Sequence, residues 1–109
     1  MAASIVDVRD EEALARLLWE YRLVILDFWS PTCQPCRLVE EALERVSSRL
    51  GRDACIARIN VVEAPGIAVS YRVLGLPTLI ILKEGSIAKR ITGAVGEDEI
   101  LEALRSIEE

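Results

Sequence analysis

Hydrophobic and polar residues alternate along this chain in blocks, and the blocks predict strands separated by helices. The nearly continuous apolar run Leu23–Trp29 is typical of a central strand covered on both faces, and Ala54–Asn60 predicts another strand. Three further apolar runs predict strands at Ile5–Val8, Thr78–Leu82 and Ile87–Thr92. The residues Lys83-Glu84-Gly85-Ser86, which separate the last two strands, predict a hairpin turn.

Apolar residues spaced three and four apart predict four helices in the remaining segments. The first runs from about Asp10 to Tyr21 and places Glu12 and Arg16 where they can pair. The second is expected to stop at Gly51, and its inward-facing stripe consists of Cys36, Val39, Leu43, Val46 and Leu50. A short irregular helix is predicted at Glu63–Tyr71. The last helix starts after Gly96, and its inward positions are Ile100, Ala103, Leu104 and Ile107.

Strands that alternate with helices and end in a hairpin indicate an α/β fold, with one mixed sheet covered by helices on both faces. The length of 109 residues predicts one domain spanning residues 1–109. A domain of this size buries enough surface to fold without a disulfide or a metal, which leaves its cysteines available for chemistry.

Composition and charge indicate which partners and which cellular compartment to expect. Hydrophobic residues make up 51% of the chain. No apolar run approaches the ~20 residues that a membrane span needs, so no membrane association is expected. The formal net charge of −5 disfavours a nucleic-acid partner. The first residues lack the basic start and apolar stretch of a secretory signal, and three cysteines are too few for a disulfide framework. These features predict a cytoplasmic protein.

A pair of cysteines three residues apart lies where a predicted strand ends and a predicted helix begins. Cys33 and Cys36 follow the Leu23–Trp29 strand, and the helix start supplies free N–H groups and a positive dipole end that favour a thiolate. Their spacing lets a small disulfide close and open, so the pair predicts a redox centre. The alternative is half of a metal site. A structural zinc site needs four Cys or His ligands, and the chain has no histidine and only one further cysteine, so no metal is expected.

Five short segments resemble the thioredoxin family, and the similarity covers nearly the whole chain. The segments are Asp27-Phe28-Trp29, Cys33-Gln34-Pro35-Cys36-Arg37, Gly75-Leu76-Pro77-Thr78, Lys83-Glu84-Gly85 and Thr92-Gly93-Ala94. The resemblance implies the thioredoxin fold, in which four helices flank a five-stranded mixed sheet. Its strand order would be 1-3-2-4-5, with the last two strands antiparallel to the rest.

The two cysteines and one acid are expected to carry the chemistry. Cys33 is expected to be the exposed nucleophile that attacks a substrate disulfide, and Cys36 the resolving thiol that attacks the mixed disulfide. Asp27 lies inside an apolar strand, where a raised pKa would suit it to take and return the proton of Cys36. By resemblance Asp27 occupies the family's buried-acid position. The alternative is an Asp at a strand end that faces solvent.

The resemblance also implies a substrate-binding surface beside the cysteines. The Leu76–Pro77 bond is expected to be cis and to present the Leu76 backbone to an extended substrate segment, as in strand addition. On sequence alone, Pro77 could equally be a trans proline at a strand start. Leu76, Gly93 and Ala94 would form a flat apolar docking surface.

Four residues around the cysteine motif complete the expected substrate face. Trp29 resembles the family's tryptophan beside the active-site loop, with a simple core aromatic as the alternative. Thr32 and Gln34 replace the tryptophan and the glycine that are usual in the family. Pro35 is retained in the first helical turn, where its missing N–H costs little.

Several other residues are given structural interpretations. Arg58 stands where the family often has a buried lysine, and it either pairs with Asp27 or is an exposed charge at a strand edge. Cys55 is interpreted as a small buried hydrophobe without a role. Three aromatic residues are interpreted as packing, namely Trp19, Tyr21 and Tyr71. Charge pairs on the second helix, such as Glu41 with Arg45, are interpreted as a solvated face.

Together these features predict an oxidoreductase that reduces protein disulfides by two successive exchanges. It would bind no cofactor. A flavin-dependent thioredoxin reductase would recharge it, so FAD and NADPH would act only through that partner. A monomer is expected, with disulfide-containing proteins as substrates. The alternatives are a thioredoxin-like oxidant or isomerase, and a non-catalytic binding module in which the cysteines switch affinity.

Overall fold

Five strands and four helices alternate along residues 2–108, the part of the chain that this computed structural model describes. The strands are β1 (Ser4–Asp7), β2 (Leu23–Trp29), β3 (Ala54–Asn60), β4 (Thr78–Lys83) and β5 (Ser86–Thr92). The helices are α1 (Glu11–Glu20), α2 (Gln34–Ser47), α3 (Pro65–Ser70) and α4 (Glu97–Glu108). The predicted alternation is confirmed. β2 and β3 have the predicted bounds, and β1 lies one residue earlier than predicted.

The strands form one mixed sheet in the predicted order β1-β3-β2-β4-β5. β1, β3 and β2 are parallel, and β4 is antiparallel to β2. β5 is antiparallel to β4, so it runs in the same direction as the first three strands. The expectation that both last strands oppose the rest is therefore wrong. The physical reason is the hairpin at Glu84-Gly85, whose φ angles of 52° and 83° suit a tight turn that reverses the chain once more.

Apolar side chains cover both faces of the sheet. On one face, Ile25 of β2 and Ile81 of β4 pack against α2 and α4. On the other face, Leu26 of β2 and Ile80 of β4 pack in a cluster that includes residues of α1 and α3. Successive strand residues point to opposite faces, so each central strand contributes to both clusters.

Helix α2 ends earlier than its apolar stripe predicts. Its last residue is Ser47, although Leu50 continues the helical spacing and still packs against the core. After Ser47 the chain continues in tighter turns, in which the N–H groups of Arg49 and Leu50 donate to the carbonyl oxygens of Val46 and Ser47, three residues back. The expectation that the helix stops at Gly51 is therefore wrong.

One surface expectation is also wrong. Trp19 does not pack, because α1 turns Leu14, Leu17 and Leu18 toward the core and leaves the indole 90% exposed. Glu41 and Arg45 are exposed, as expected of a solvated face, although Arg45 Nε donates to Glu97 of α4 at 3.0 Å rather than pairing with Glu41. Other expectations are confirmed: Tyr21 and Tyr71 pack against the core, and Arg16 and Glu12 are 3.5 Å apart.

Candidate functional site

Three loops lie next to one another at one edge of the sheet. Phe28 near the end of β2 pairs with Thr78 at the start of β4, and Thr78 pairs with Thr92 at the end of β5. The chain leaves β2 and β5 and enters β4 at this edge. The loops at residues 30–33, 71–77 and 93–96 therefore converge there, and they carry most of the site residues expected from the sequence.

Cys33 and Cys36 are joined by a disulfide at the start of α2. Cys33 is the N-cap residue of the helix and Cys36 lies in its first turn, with 5.4 Å between their Cα atoms. The Cys36 N–H donates to the Cys33 carbonyl oxygen at 3.2 Å and so fastens the N-cap residue to this turn. Cys33 is partly exposed, whereas Cys36 is 3% exposed. The two sulfurs therefore differ in access to a large substrate.

A groove of about 250 Å³ runs along the cysteine pair. Its lining combines the loop after β2 with one face of α2 and consists of Trp29, Ser30, Pro31, Arg37, Glu40 and the two cysteines. Arg37 and Glu40 give this groove one positive and one negative side chain. Because the groove is open to solvent along the disulfide, an incoming sulfur can reach it.

Asp27 is fully buried in the middle of β2. It lies on the same face as Leu23 and Ile25, which is the face covered by α2. Burial raises the pKa of its carboxyl to about 6, against the opposing charge of Arg58 and with a smaller contribution from Glu40. Among the described residues, neither carboxyl oxygen has a hydrogen-bond partner. The alternative of a solvent-facing carboxylate is therefore wrong.

Arg58 of β3 lies across the neighbouring strand from Asp27. Its Nε forms an ion pair with Asp27 Oδ2 at 3.6 Å, beyond hydrogen-bond range, so the predicted pairing is confirmed and the alternative of an exposed strand-edge charge is wrong. Its Nη2 donates to Glu40 Oε2 at 3.2 Å. The guanidinium also covers the Trp29 ring, with Cζ 4.5 Å from the ring centroid, which is a cation–π contact. Arg58 thus ties together Asp27, Trp29 and helix α2.

The loop before β4 contains a cis peptide bond between Leu76 and Pro77, as the resemblance implies. Pro77 is buried and Leu76 is partly exposed. The Gly93 N–H donates to the Pro77 carbonyl oxygen at 2.9 Å, so the loop after β5 is fastened to this one. Gly93 has a φ of 102°, a conformation that side chains other than glycine's rarely adopt.

The remaining predicted substrate-face residues are at the surface. Thr32, Gln34 and Pro35 are exposed beside the cysteines at the start of α2. Ala94 is exposed and faces α2 further along, where it lines a depression together with Leu38. Trp29 is partly exposed, and it lines the groove rather than the apolar core.

Sequence reasoning missed two features of this edge. Glu40 lies one helical turn after Cys36 and lines the groove, a position that its i+4 spacing from Cys36 could have revealed. Leu74, in the loop before Pro77, is 98% exposed, and no pattern in the sequence distinguishes it from a core leucine.

Other chemistry in the described range is limited. The Cys55 side chain is fully buried in β3, as predicted, and burial raises the pKa of its thiol to about 11. Within residues 2–108, no three Cys, Asp or Glu side chains are grouped so that they could hold a metal ion. No helix within the same range has the length and apolar character needed to cross a membrane.

Comparisons with known proteins agree on one family. A family model described as Thioredoxin matches residues 4–106. The thioredoxin of Mycolicibacterium smegmatis is 36% identical over 101 residues, covering 91% of this chain and 90% of that protein. A bifunctional thioredoxin reductase/thioredoxin of Mycobacterium leprae is 31% identical over 102 residues, which cover 94% of this chain and 22% of that protein. The structure of a mutant thioredoxin from Halobacterium salinarum NRC-1 superimposes with a TM-score of 0.90 at 27% identity, covering 100% of this chain and 96% of that one.

Proposed function

This chain belongs to the thioredoxin family and is a thiol–disulfide oxidoreductase that reduces protein disulfides, and we propose that Cys33 is its attacking sulfur and Cys36 its resolving sulfur. The observation that carries this assignment is the difference in access. The partly exposed Cys33 is bonded to a buried Cys36 at the positive end of α2. A substrate disulfide can reach the first sulfur but not the second.

In the first step, the Cys33 thiolate attacks one sulfur of the substrate disulfide. The new bond joins Cys33 to that sulfur, the substrate S–S bond breaks, and the other substrate sulfur leaves as a thiolate that takes a proton from water. The N-cap position supports this role because the free N–H groups and the dipole of the helix start stabilise an anionic sulfur.

In the second step, Cys36 loses its proton and attacks Cys33 in the mixed disulfide. The Cys33–Cys36 bond forms, the bond to the substrate breaks, and the second substrate thiol is released. Two electrons have then passed from the cysteine pair to the substrate. Because the sulfurs themselves hold these electrons, the exchange needs no bound cofactor.

Asp27 is the proposed acceptor for the Cys36 proton. Its burial beneath α2 and its raised pKa of about 6 support this role, because a base is most useful when its pKa lies near the working pH. The carboxylate takes the proton as Cys36 becomes a nucleophile and returns it when the disulfide is opened again.

The substrate is proposed to lie across the convergent loops at the sheet edge. The partly exposed Leu76 would pair its backbone with an extended substrate segment, next to the buried Pro77. Further contacts are proposed for Trp29, Thr32, Gln34, Pro35, Gly93 and Ala94. The hydrogen bond between Gly93 and Pro77 supports the grouping of the two loops into one surface.

The oxidised pair must be reduced again after each turnover. We propose a flavin-dependent thioredoxin reductase as the electron donor, with FAD and NADPH bound by that enzyme. A relative that is named as both thioredoxin reductase and thioredoxin supports this pairing. The free Cys55 thiol supports a reducing compartment, the cytoplasm, as the place of work, and the protein is proposed to act as a monomer.

The cysteine roles are tested by comparing three variants in reduction of an insulin disulfide with a thiol reductant. Cys33→Ser is expected to abolish turnover. Cys36→Ser, reduced beforehand and separated from the reductant, is expected to form a covalent adduct with the substrate through Cys33, which mass spectrometry of the non-reduced protein detects. Cys55→Ala is the control, and it should leave turnover unchanged because Cys55 is fully buried. Full turnover in Cys33→Ser would overturn the assignment.

A further inference from the structure

The contacts of Arg58 single out Glu40 on α2. The Arg58 guanidinium donates from Nη2 to Glu40 Oε2 at 3.2 Å, whereas its Nε lies 3.6 Å from Asp27 Oδ2 without a hydrogen bond. A third carboxylate, that of Asp7, lies 3.9 Å from Nη1. Three carboxylates therefore share one cation, and Glu40 has the shortest contact.

The guanidinium is held in an orientation that does not favour Asp27. Trp29 packs against its face and Glu40 binds one of its terminal nitrogens. An arginine that turns two parallel N–H groups toward a carboxylate binds it strongly and favours its charged form. Arg58 does not make that bidentate pair with Asp27, and Glu40 is the carboxylate that contacts its guanidinium most closely.

Glu40 also lies between the cysteines and the buried acid. It lines the groove along Cys33 and Cys36, and it borders a cavity of about 70 Å³ against Asp27. Position 40 is one helical turn after Cys36, on the same face of α2. Glu40 therefore borders both the groove beside the cysteines and the cavity beside Asp27.

We propose that Glu40 is a positioning residue for the second exchange step: its carboxylate holds the Arg58 guanidinium off Asp27 and keeps Asp27 able to accept the proton of Cys36. This inference rests on the proposed function, which makes Asp27 the acceptor. Glu40 neither gains nor loses a proton in the step. The proton passes from the Cys36 thiol to the Asp27 carboxylate.

The surroundings of Asp27 give the direction of the effect. On β4 its strand partner is the apolar Leu79. Arg58 on β3 forms an ion pair with Asp27, Asp7 on β1 lies near the same guanidinium, and Glu40 and Glu44 on α2 border the same cavity. Removal of the Glu40 charge takes away a repulsion and also frees Arg58 to turn toward Asp27. Both changes favour the Asp27 carboxylate, so both lower its pKa.

The test is an NMR titration of the Asp27 carboxyl carbon in the oxidised protein. Asp27→Asn removes the signal and so identifies it. Glu40→Gln is expected to move the midpoint, which lies at about 6 in the parent protein, to lower pH by about half a unit or more. Glu41→Gln is the matched control, because it removes the same charge from an exposed neighbouring position and should leave the midpoint unchanged. Glu40→Asp, which keeps the charge on a shorter side chain, should give an intermediate midpoint.

The titration also separates this inference from the proposed function, because it requires no turnover. A midpoint in Glu40→Gln equal to that of the parent, or an equal shift in Glu41→Gln, would overturn the role of Glu40 and leave the cysteine roles intact. If Glu40→Gln does not fold, a parent-like midpoint in Glu40→Asp overturns it instead. Glu40→Gln should also resolve a preformed mixed disulfide about twofold more slowly at pH 7, because a weaker base removes the Cys36 proton less readily.

Discussion

At the scale of single residues, the carboxyl of Asp27 combines a cost in stability with a raised pKa. Asp27 is the fully buried carboxyl among the described residues, and its oxygens have no hydrogen-bond partner there. A buried charge without such partners is costly, so the fold carries Asp27 at the expense of stability. The same burial brings the pKa of the group to about 6, where proton exchange with a thiol is useful.

Replacement of Asp27 by Asn is expected to change how stability depends on pH. Burial raises the pKa of Asp27 from 3.8 to about 6, so the folded state binds this proton more tightly than the unfolded state does. The associated stability is fully present below pH 4 and is lost as the pH rises through 6, by about 3 kcal/mol in total. The side chain of the Asp27→Asn variant does not titrate in this range, so the variant should not lose this stability as the pH rises.

Urea unfolding of the two oxidised proteins at pH 4 and pH 7 measures this effect. The difference in unfolding free energy between variant and parent should move in favour of the variant by about 2 kcal/mol between the two pH values, because a small part of the effect is already lost at pH 4. Other carboxyls titrate alike in both proteins and cancel. A difference that is the same at both pH values would contradict a raised pKa of Asp27.

At the scale of helices and strands, the sequence predicts an element well where one local signal decides it. β2 has the predicted bounds because its apolar run is flanked by the polar residues Arg22 and Ser30. After Ser47, α2 gives way to tighter turns with backbone bonds three residues apart, and the apolar spacing up to Leu50 does not distinguish these turns from a helix. The exposure of Trp19 likewise depends on which side of α1 the sheet covers.

The functional site divides in the same way. The cysteine motif and the acid in an apolar strand are visible in the sequence because each breaks a local rule. The cis bond before Pro77 follows only from resemblance to a family. The roles of Arg58 and Glu40 arise from contacts between β3 and α2, residues 18 apart, and only the folded chain brings them together.

The start of α1 depends on a single side chain. Asp10 is its N-cap residue, and Asp10 Oδ1 accepts a hydrogen bond from the Ala13 N–H at 2.7 Å. Asp10→Ala removes this acceptor and should lower the unfolding free energy by about 1 kcal/mol, as measured by thermal or urea unfolding. Asp10→Asn keeps a side-chain acceptor for the Ala13 N–H, so it should lower the unfolding free energy by only a small part of that amount. An equal loss in both variants would mean that the cap contributes through its charge rather than its hydrogen bond.

At the scale of the whole molecule, the faces of the sheet form the packed core, and one edge of the sheet positions the functional site. Its two faces bury apolar side chains against helices, and one of its edges gathers the loops with the disulfide, the cis bond and Gly93. The loops can therefore differ in sequence, as Thr32 and Gln34 do from the usual family residues, without disturbing the packed layers. This arrangement requires that both faces contribute to stability, because the strands that position the site belong to both clusters.

Two neighbouring residues of β4 test that requirement. Ile80 and Ile81 are both fully buried, but Ile80 packs in the cluster that includes α1 and α3, and Ile81 packs in the cluster with α2 and α4. Truncation of either residue to alanine removes the same atoms and leaves a cavity on one face of the sheet. Each truncation should lower the unfolding free energy by about 2–5 kcal/mol. Ile87→Ala on β5 is the control, since Ile87 is 53% exposed and should cost about 1 kcal/mol or less. If Ile80→Ala proved as mild as Ile87→Ala in urea unfolding while Ile81→Ala did not, the face covered by α1 and α3 would contribute little to stability. Packing of the sheet against α2 and α4 would then supply most of the stability.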